Sequence, residues 1–158
     1  LHVVPDRLID VKSGVLDAAN GQIFSNTRKQ TFSVLTQNCE AFILPEGENG
    51  TGGFWRVKNL KGRGVFAALS RDGRPLSESR RILLFHLTDT QAFKAEFTSP
   101  KMNRIKRWGR LPHMAAAGSA EVSFPAGGEM ELYALDTAGR RLAPVSITSR
   151  NGRACAQR

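Results

Sequence analysis

From residue 22 to residue 148 the chain is a succession of short β-prone runs closed by Gly, Pro, Asp or Asn, and this punctuation limits its fold more than any other feature. The runs are 22–25, 31–36, 39–44, 54–60, 65–69, 82–87, 104–111, 120–124, 130–135 and 144–148. Strands recurring every ~8–12 residues, with few helical stretches between them, predict an antiparallel sandwich or barrel. The expectation is an all-β antiparallel β-sandwich, immunoglobulin-like or jelly-roll-like, in a single domain. The most coherent piece is 65–87, where two apolar runs flank Arg71-Asp72-Gly73-Arg74, an Asp-Gly pair suited to a tight turn. It carries no catalytic group in a catalytic arrangement and reads as scaffold. A short helix is expected only around 77–81 or 90–97.

A chain of 158 residues fits one domain, which at this size buries roughly 70% of the surface its unfolded chain exposes, so folding needs neither metal nor staple. No linker, repeat or low-complexity tract divides it. The domain is expected over 8–148, with residues 1–7 a connecting segment and 149–158 a polar tail or frayed end. Apolar content of 41% is ordinary for a soluble protein, and no run approaches the ~20 apolar residues of a membrane helix. A membrane partner is therefore not expected. Leu1 is not an initiator methionine and no signal-peptide pattern follows it, which suggests an excised piece or a mature product.

Lys and Arg number 23 against 14 Asp and Glu, a formal charge of +9 that favours acidic partners. Most of the basic residues are scattered, but Lys101, Arg104, Lys106, Arg107 and Arg110 cluster around Trp108. One reading is an anion-binding strip with an aromatic platform. The other is a solvated loop and edge strand whose cations discourage edge-to-edge pairing. No nucleic-acid-binding motif accompanies the cluster, so nucleic acid is not an expected partner.

The residues that carry chemistry do not converge in the sequence. His2, His86 and His113 are far apart and outside any metal-ligand spacing, so neither metal nor cofactor is expected. His86, within an apolar run, reads as a core or edge histidine with one satisfied hydrogen bond, and His113 as a loop residue. Cys39 reads as a small buried thiol and Cys155 as part of the polar tail. A bridge between them is possible in an oxidising compartment but is not suggested by their spacing. Gly50-Thr51-Gly52-Gly53 lacks the lysine and following helix of a phosphate loop, so loop reach or a close turn explains it better. Asn49-Gly50-Thr51 matches a glycosylation acceptor. Glu46, Glu48, Glu78, Glu129, Glu131 and Asp136 cannot be paired as acid and base from sequence.

Several segments resemble a known family when taken in order. Residues 17–23 followed by 30–36 are similar to an "S-D-T-G-E-I-x-W-D … F-x-V-D-T-P" strand pair, and 69–89 to an "S-L-D-G-K-P-L-x-x-S-K-R-I-L-L" hairpin. Arg107-Trp108-Gly109-Arg110-Leu111-Pro112 resembles a "W-G-x-x-P" strand, and 132–141 a "Y-x-L-D-x-x-G-x-R" strand. All belong to the β-sandwich domain that follows the (β/α)8 barrel in bacterial glycoside hydrolases and glycosidase-like proteins. The chain departs from the pattern at Ala18-Ala19-Asn20-Gly21, lacks the aromatic expected after it, and has Gln37 in place of the proline.

The resemblance covers roughly residues 15–145 and implies a non-catalytic accessory domain of a secreted or periplasmic enzyme. Its partner would be an upstream catalytic (β/α)8 domain of the same polypeptide, with weak polysaccharide contact possible. Trp55, with Arg56 beside it, and Trp108 are the candidate carbohydrate contacts, and Phe54 and Tyr133 are further aromatic candidates. For Phe54 and Trp55 the alternative is core packing. A free-standing module for an anionic glycan, using Trp108 and the basic residues around it, is the second reading.

Overall fold

The computed structural model describes residues 9–10, 12–18, 20–100, 102–125 and 130–157, and contains strands and no helix among them. In chain order the first strands are β1 (Ile9–Asp10), β2 (Val15–Asp17), β3 (Ile23–Asn26), β4 (Thr31–Leu35), β5 (Cys39–Leu44), β6 (Asn49–Thr51), β7 (Arg56–Lys61), β8 (Gly64–Ser70) and β9 (Ile82–Leu87). They are followed by β10 (Thr90–Phe93), β11 (Glu96–Phe97), β12 (Ile105–Arg107), β13 (Arg110–Ala115), β14 (Ser119–Pro125), β15 (Tyr133–Leu135), β16 (Arg141–Pro144), β17 (Thr148–Arg150) and β18 (Arg153–Gln157).

Two antiparallel sheets make the body: a seven-stranded one ordered β1-β2-β3-β4-β5-β8-β9 and a five-stranded one ordered β17-β18-β14-β7-β6. Alternation along the central strands directs side chains inward: Glu40, Phe42 and Leu44 from β5, Phe66 and Ala68 from β8, Val57 and Asn59 from β7, Ala120 and Phe124 from β14. The apolar members join Phe54, Trp55 and Leu76 in one core. The fold is therefore the expected all-β, sandwich-like one. Trp55 is its bridge: its ring lies 6.0 Å from that of Phe42 in the first sheet and 6.3 Å, stacked, from that of Phe124 in the second.

Two buried polar side chains tie β5 to the five-stranded sheet. Glu40 accepts the Phe54 N–H at Oε1 (2.9 Å) and the Trp55 N–H at Oε2 (3.4 Å). Asn59, with no exposed surface, donates from Nδ2 to the carbonyls of Leu44 (3.0 Å), Pro45 (2.9 Å) and Gly62 (2.6 Å). The glycine-rich loop accommodates the first tie. A Cβ at Gly52 would overlap the Glu40 carboxylate, and one at Gly50 would lie 2.6 Å from the Phe42 ring. Close approach to β5 is thus the physical reason for these glycines.

Several expectations are corrected. Of the tail expected over 149–158, the described residues 149–157 are not frayed: β18 lies between β17 and β14, Cys155 and Ala156 are buried, and Arg153 donates to Ser123 Oγ (3.1 Å) and its carbonyl (2.9 Å). Cys155 is thus a core residue, while Cys39 is half-buried, and both are free thiols. Residues 90–97 form β10 and β11, because helix propensity over so short a piece is weak and a complementary strand is available to pair with it. Residues 77–81 lie in an irregular loop. The segment 1–7, with His2, falls outside the described residues, as does Glu129.

Replacing Glu40 by Ala leaves two N–H groups at a buried site without an acceptor, so urea unfolding is expected to show a loss of about 3 kcal/mol. Gly52→Ala should also destabilise, and less so in the Glu40→Ala background, where the clashing carboxylate is gone. Purely additive losses would show that the glycine does not serve the carboxylate.

Candidate functional site

Between β9 and β14 the chain leaves the body as a β-arm, residues 90–115. β10 pairs with β13 and β11 with β12, and toward the far end Thr98 N donates to the Arg104 carbonyl (3.0 Å). At its base Ala116 N donates to the Asp89 carbonyl and Thr88 Oγ1 to the Ala116 carbonyl. Every residue of β13 is exposed. The register shifts twice, between Ala92 and Phe93 and between Glu96 and Phe97.

Leu111 lies inside the first shift and Trp108 in the connection between β12 and β13, and they are 75% and 79% exposed. Gly109 between them has φ 74°, and a Cβ there would come within 2.6 Å of the Phe93 carbonyl oxygen. The glycine lets the returning strand press against the outgoing backbone, and an irregularity of this kind re-aims the neighbouring side chains. Met102, Ile105 and Met114 add further exposed apolar surface.

The arm also gathers charge. Six basic residues between positions 90 and 115 face a single acid, Glu96, so the segment carries +5 of the chain's +9. Glu96 pairs with Arg107 at 3.2 Å and Lys106 at 3.9 Å, exposed contacts of the kind worth well under ~1 kcal/mol. Arg110 lies over the Phe93 ring at 5.8 Å from its centroid and Lys94 at 5.6 Å. Of the basic cluster expected from sequence, Arg104, Lys106, Arg107 and Arg110 thus share the arm with Trp108, and Lys101 lies outside the described residues. Lys94 belongs with them and was not singled out from sequence, because pairing across the hairpin is what brings it close.

Trp55 is corrected as a carbohydrate contact. It is 1% exposed and enclosed between Phe42 and Phe124, so neither ring face is open to a sugar. Arg56 is exposed on the outer face of β7 with no open aromatic from Trp55 beside it. Phe54 is likewise buried, 5.6 Å from the Phe124 ring. Tyr133 is partly covered by Arg141, 4.6 Å over its ring, and donates to Glu131 at 3.2 Å. His86 is exposed and stacks on Phe66 at 4.5 Å, and His113 stands on β13. Among the described residues no group of three or more His, Cys, Asp or Glu could hold a metal ion.

A second ordered surface is the loop 71–81 joining β8 to β9. Asp72 organises it by accepting Ser79 Oγ (2.7 Å), the Arg80 N–H (2.9 Å), Ser70 Oγ (3.0 Å) and the Arg74 N–H (3.4 Å). The Ser79 hydroxyl, then the Arg80 N–H, hold its carboxyl far below the ordinary 3.8. Leu76 plugs the loop into the core, and its N–H donates to the Gln37 carbonyl at 2.7 Å. The Asp-Gly pair is therefore one turn inside a larger loop, with Gly73 at φ 76°.

Comparison of the chain with family models, curated proteins and solved structures finds no match.

The two tryptophans should separate in fluorescence: Trp55→Phe leaves red-shifted emission readily quenched by acrylamide, and Trp108→Phe leaves blue-shifted, protected emission. Equal quenching of both would contradict the placement. For Asp72 the folded carboxyl ionises more readily than the unfolded one. Its stabilisation is present above pH ~4 and lost as pH falls below the ordinary value. The melting temperature of Asp72→Asn should therefore fall less steeply than that of the parent below pH ~4, and parallel acid limbs would refute the assignment.

Proposed function

We propose that the chain is a non-catalytic accessory β-sandwich domain of a carbohydrate-active enzyme, secreted or periplasmic, that docks onto its catalytic partner through the 90–115 arm. The observation that carries this reading is the arm's uncovered apolar surface, led by Trp108 and Leu111. Covering such surface releases about 25 cal/mol per Å² of apolar area, and Trp and Arg are the side chains that most often dominate interface energies. The sequence resemblance supplies the class of partner, a (β/α)8 glycoside hydrolase barrel.

A second reading is favoured by one feature of the same arm, Trp108 with Arg107 and Arg110 near it in the chain. An indole can stack on a sugar ring while guanidiniums meet carboxylate or sulfate groups, as in a module for an anionic glycan.

Extending the coding sequence upstream is expected to reveal a barrel of about 250 residues. Mixed with that barrel, the chain should bind, and the double change Trp108→Ala, Leu111→Ala should weaken binding at least about tenfold without lowering the chain's own melting temperature. Retention on a polygalacturonate gel that disappears in Trp108→Ala and in added salt, without binding to the barrel, would replace docking by the glycan module. Neither an upstream barrel nor retention would sink both readings.

A further inference from the structure

The loop 71–81 displays Arg71, Arg74, Arg80 and Arg81, all exposed, and among the described residues none of them is ion-paired with a carboxylate. The frame that holds them together is explicit. The Arg74 and Arg80 N–H groups both donate to the Asp72 carboxylate, and the Arg71 N–H donates to the Arg81 carbonyl at 2.8 Å. Asn38 fastens the frame from below, donating from Nδ2 to the Gly73 carbonyl (3.2 Å) and accepting the Ser70 N–H at its own carbonyl (2.9 Å). The backbones of the arginines are thus gathered at one place, while their guanidiniums are not consumed by the network that gathers them.

We propose that this loop is a preformed recognition site for closely spaced oxyanion groups, the chemistry shared by sulfate esters of a glycan and by linked phosphates. Guanidinium presents parallel N–H donors that match two oxygens of such a group, and several on a rigid loop engage neighbouring groups with little ordering cost. Four arginines against two acids, Asp72 and Glu78, leave the loop with excess positive charge, and a polyanion neutralises it as it binds. The site lies outside the arm and does not depend on the docking reading.

The test is calorimetric titration of the full chain with a sulfated heparin hexasaccharide and with inorganic triphosphate, at low and at physiological salt. Saturable binding of at least one probe is expected, and the tighter probe identifies the source of the oxyanions. Arg74→Gln with Arg80→Gln, which leaves the backbone frame intact, should weaken binding about tenfold or more. The control Arg56→Gln with Lys58→Gln, which removes the same charge from the outer face of β7, should change it less than about threefold. Asp72→Asn separates a built site from general attraction, because it raises the net charge by one and loosens the frame. A built site weakens about fivefold, whereas simple attraction strengthens. Absence of binding to both probes, equal losses in site and control variants, or tighter binding by Asp72→Asn would each overturn the proposal.

Discussion

The carboxylate of Glu40, held inside the sandwich by the N–H groups of Phe54 and Trp55, is the contact on which the rest of the body depends. It reaches from β5 of one sheet to the β6–β7 connection of the other, and it fixes the backbone that delivers Trp55 between Phe42 and Phe124. The indole Nε1 is buried without a hydrogen-bond partner among the described residues, so packing and this backbone tie position the ring. Asn59 repeats the device one turn further on, binding the end of β5 and the β7–β8 turn through its amide. Buried polar groups of this kind raise the cost of any alternative pairing, because each would leave donors or acceptors unmet in a medium of low polarity.

That arrangement separates a rigid body from elements that add no buried side chain to it. In the body, inward positions of β5, β7, β8 and β14 are filled by apolar residues, by Glu40 and by Asn59, whose Nδ2 is hydrogen-bonded while its Oδ1 has no partner among the described residues. In the arm no such alternation holds, and Trp108, Leu111 and Met114 all lie in water. An isolated two-stranded ribbon is marginal alone, and this one is held by its ladder, by its anchorage at Asp89 and Ala116, and by contacts such as Arg110 over Phe93.

Legibility in the sequence followed the strength of the local pattern. The strands 39–44 and 82–87 were read with their observed bounds, because continuous apolar runs ended by Pro45 on one side and Asp89 on the other leave little freedom. Trp55 illustrates the limit of alternation: Phe54 and Trp55 precede β7, where the period of two does not hold, so both can turn inward. The hairpin of β17 and β18 had a signal that went unused, Asn151-Gly152 with φ 50° and 68°, which joins Arg150 directly to Arg153. Glu40 and Asn59 could not be found from sequence, since a polar residue on an inward position gains meaning only when its partner, fourteen or more positions away, is known.

The arm and the arginine loop use positive charge in physically different ways. On the arm, Lys106 and Arg107 share Glu96 and Arg110 lies over an aromatic ring, so the cations are partly spent in shaping an apolar ribbon. In the loop, the acid at the centre receives backbone and hydroxyl protons and leaves the guanidiniums outward. An apolar contact made by the ribbon would be screened by salt only at its charged fringe. On a frame of outward guanidiniums, screening would act on the whole of any contact with oxyanions. Of the chain's +9 the arm carries +5 and the loop, with four arginines against Asp72 and Glu78, +2, so most of the excess sits on two surfaces of unlike chemistry, and Leu111 and Met114 mark only the first as apolar.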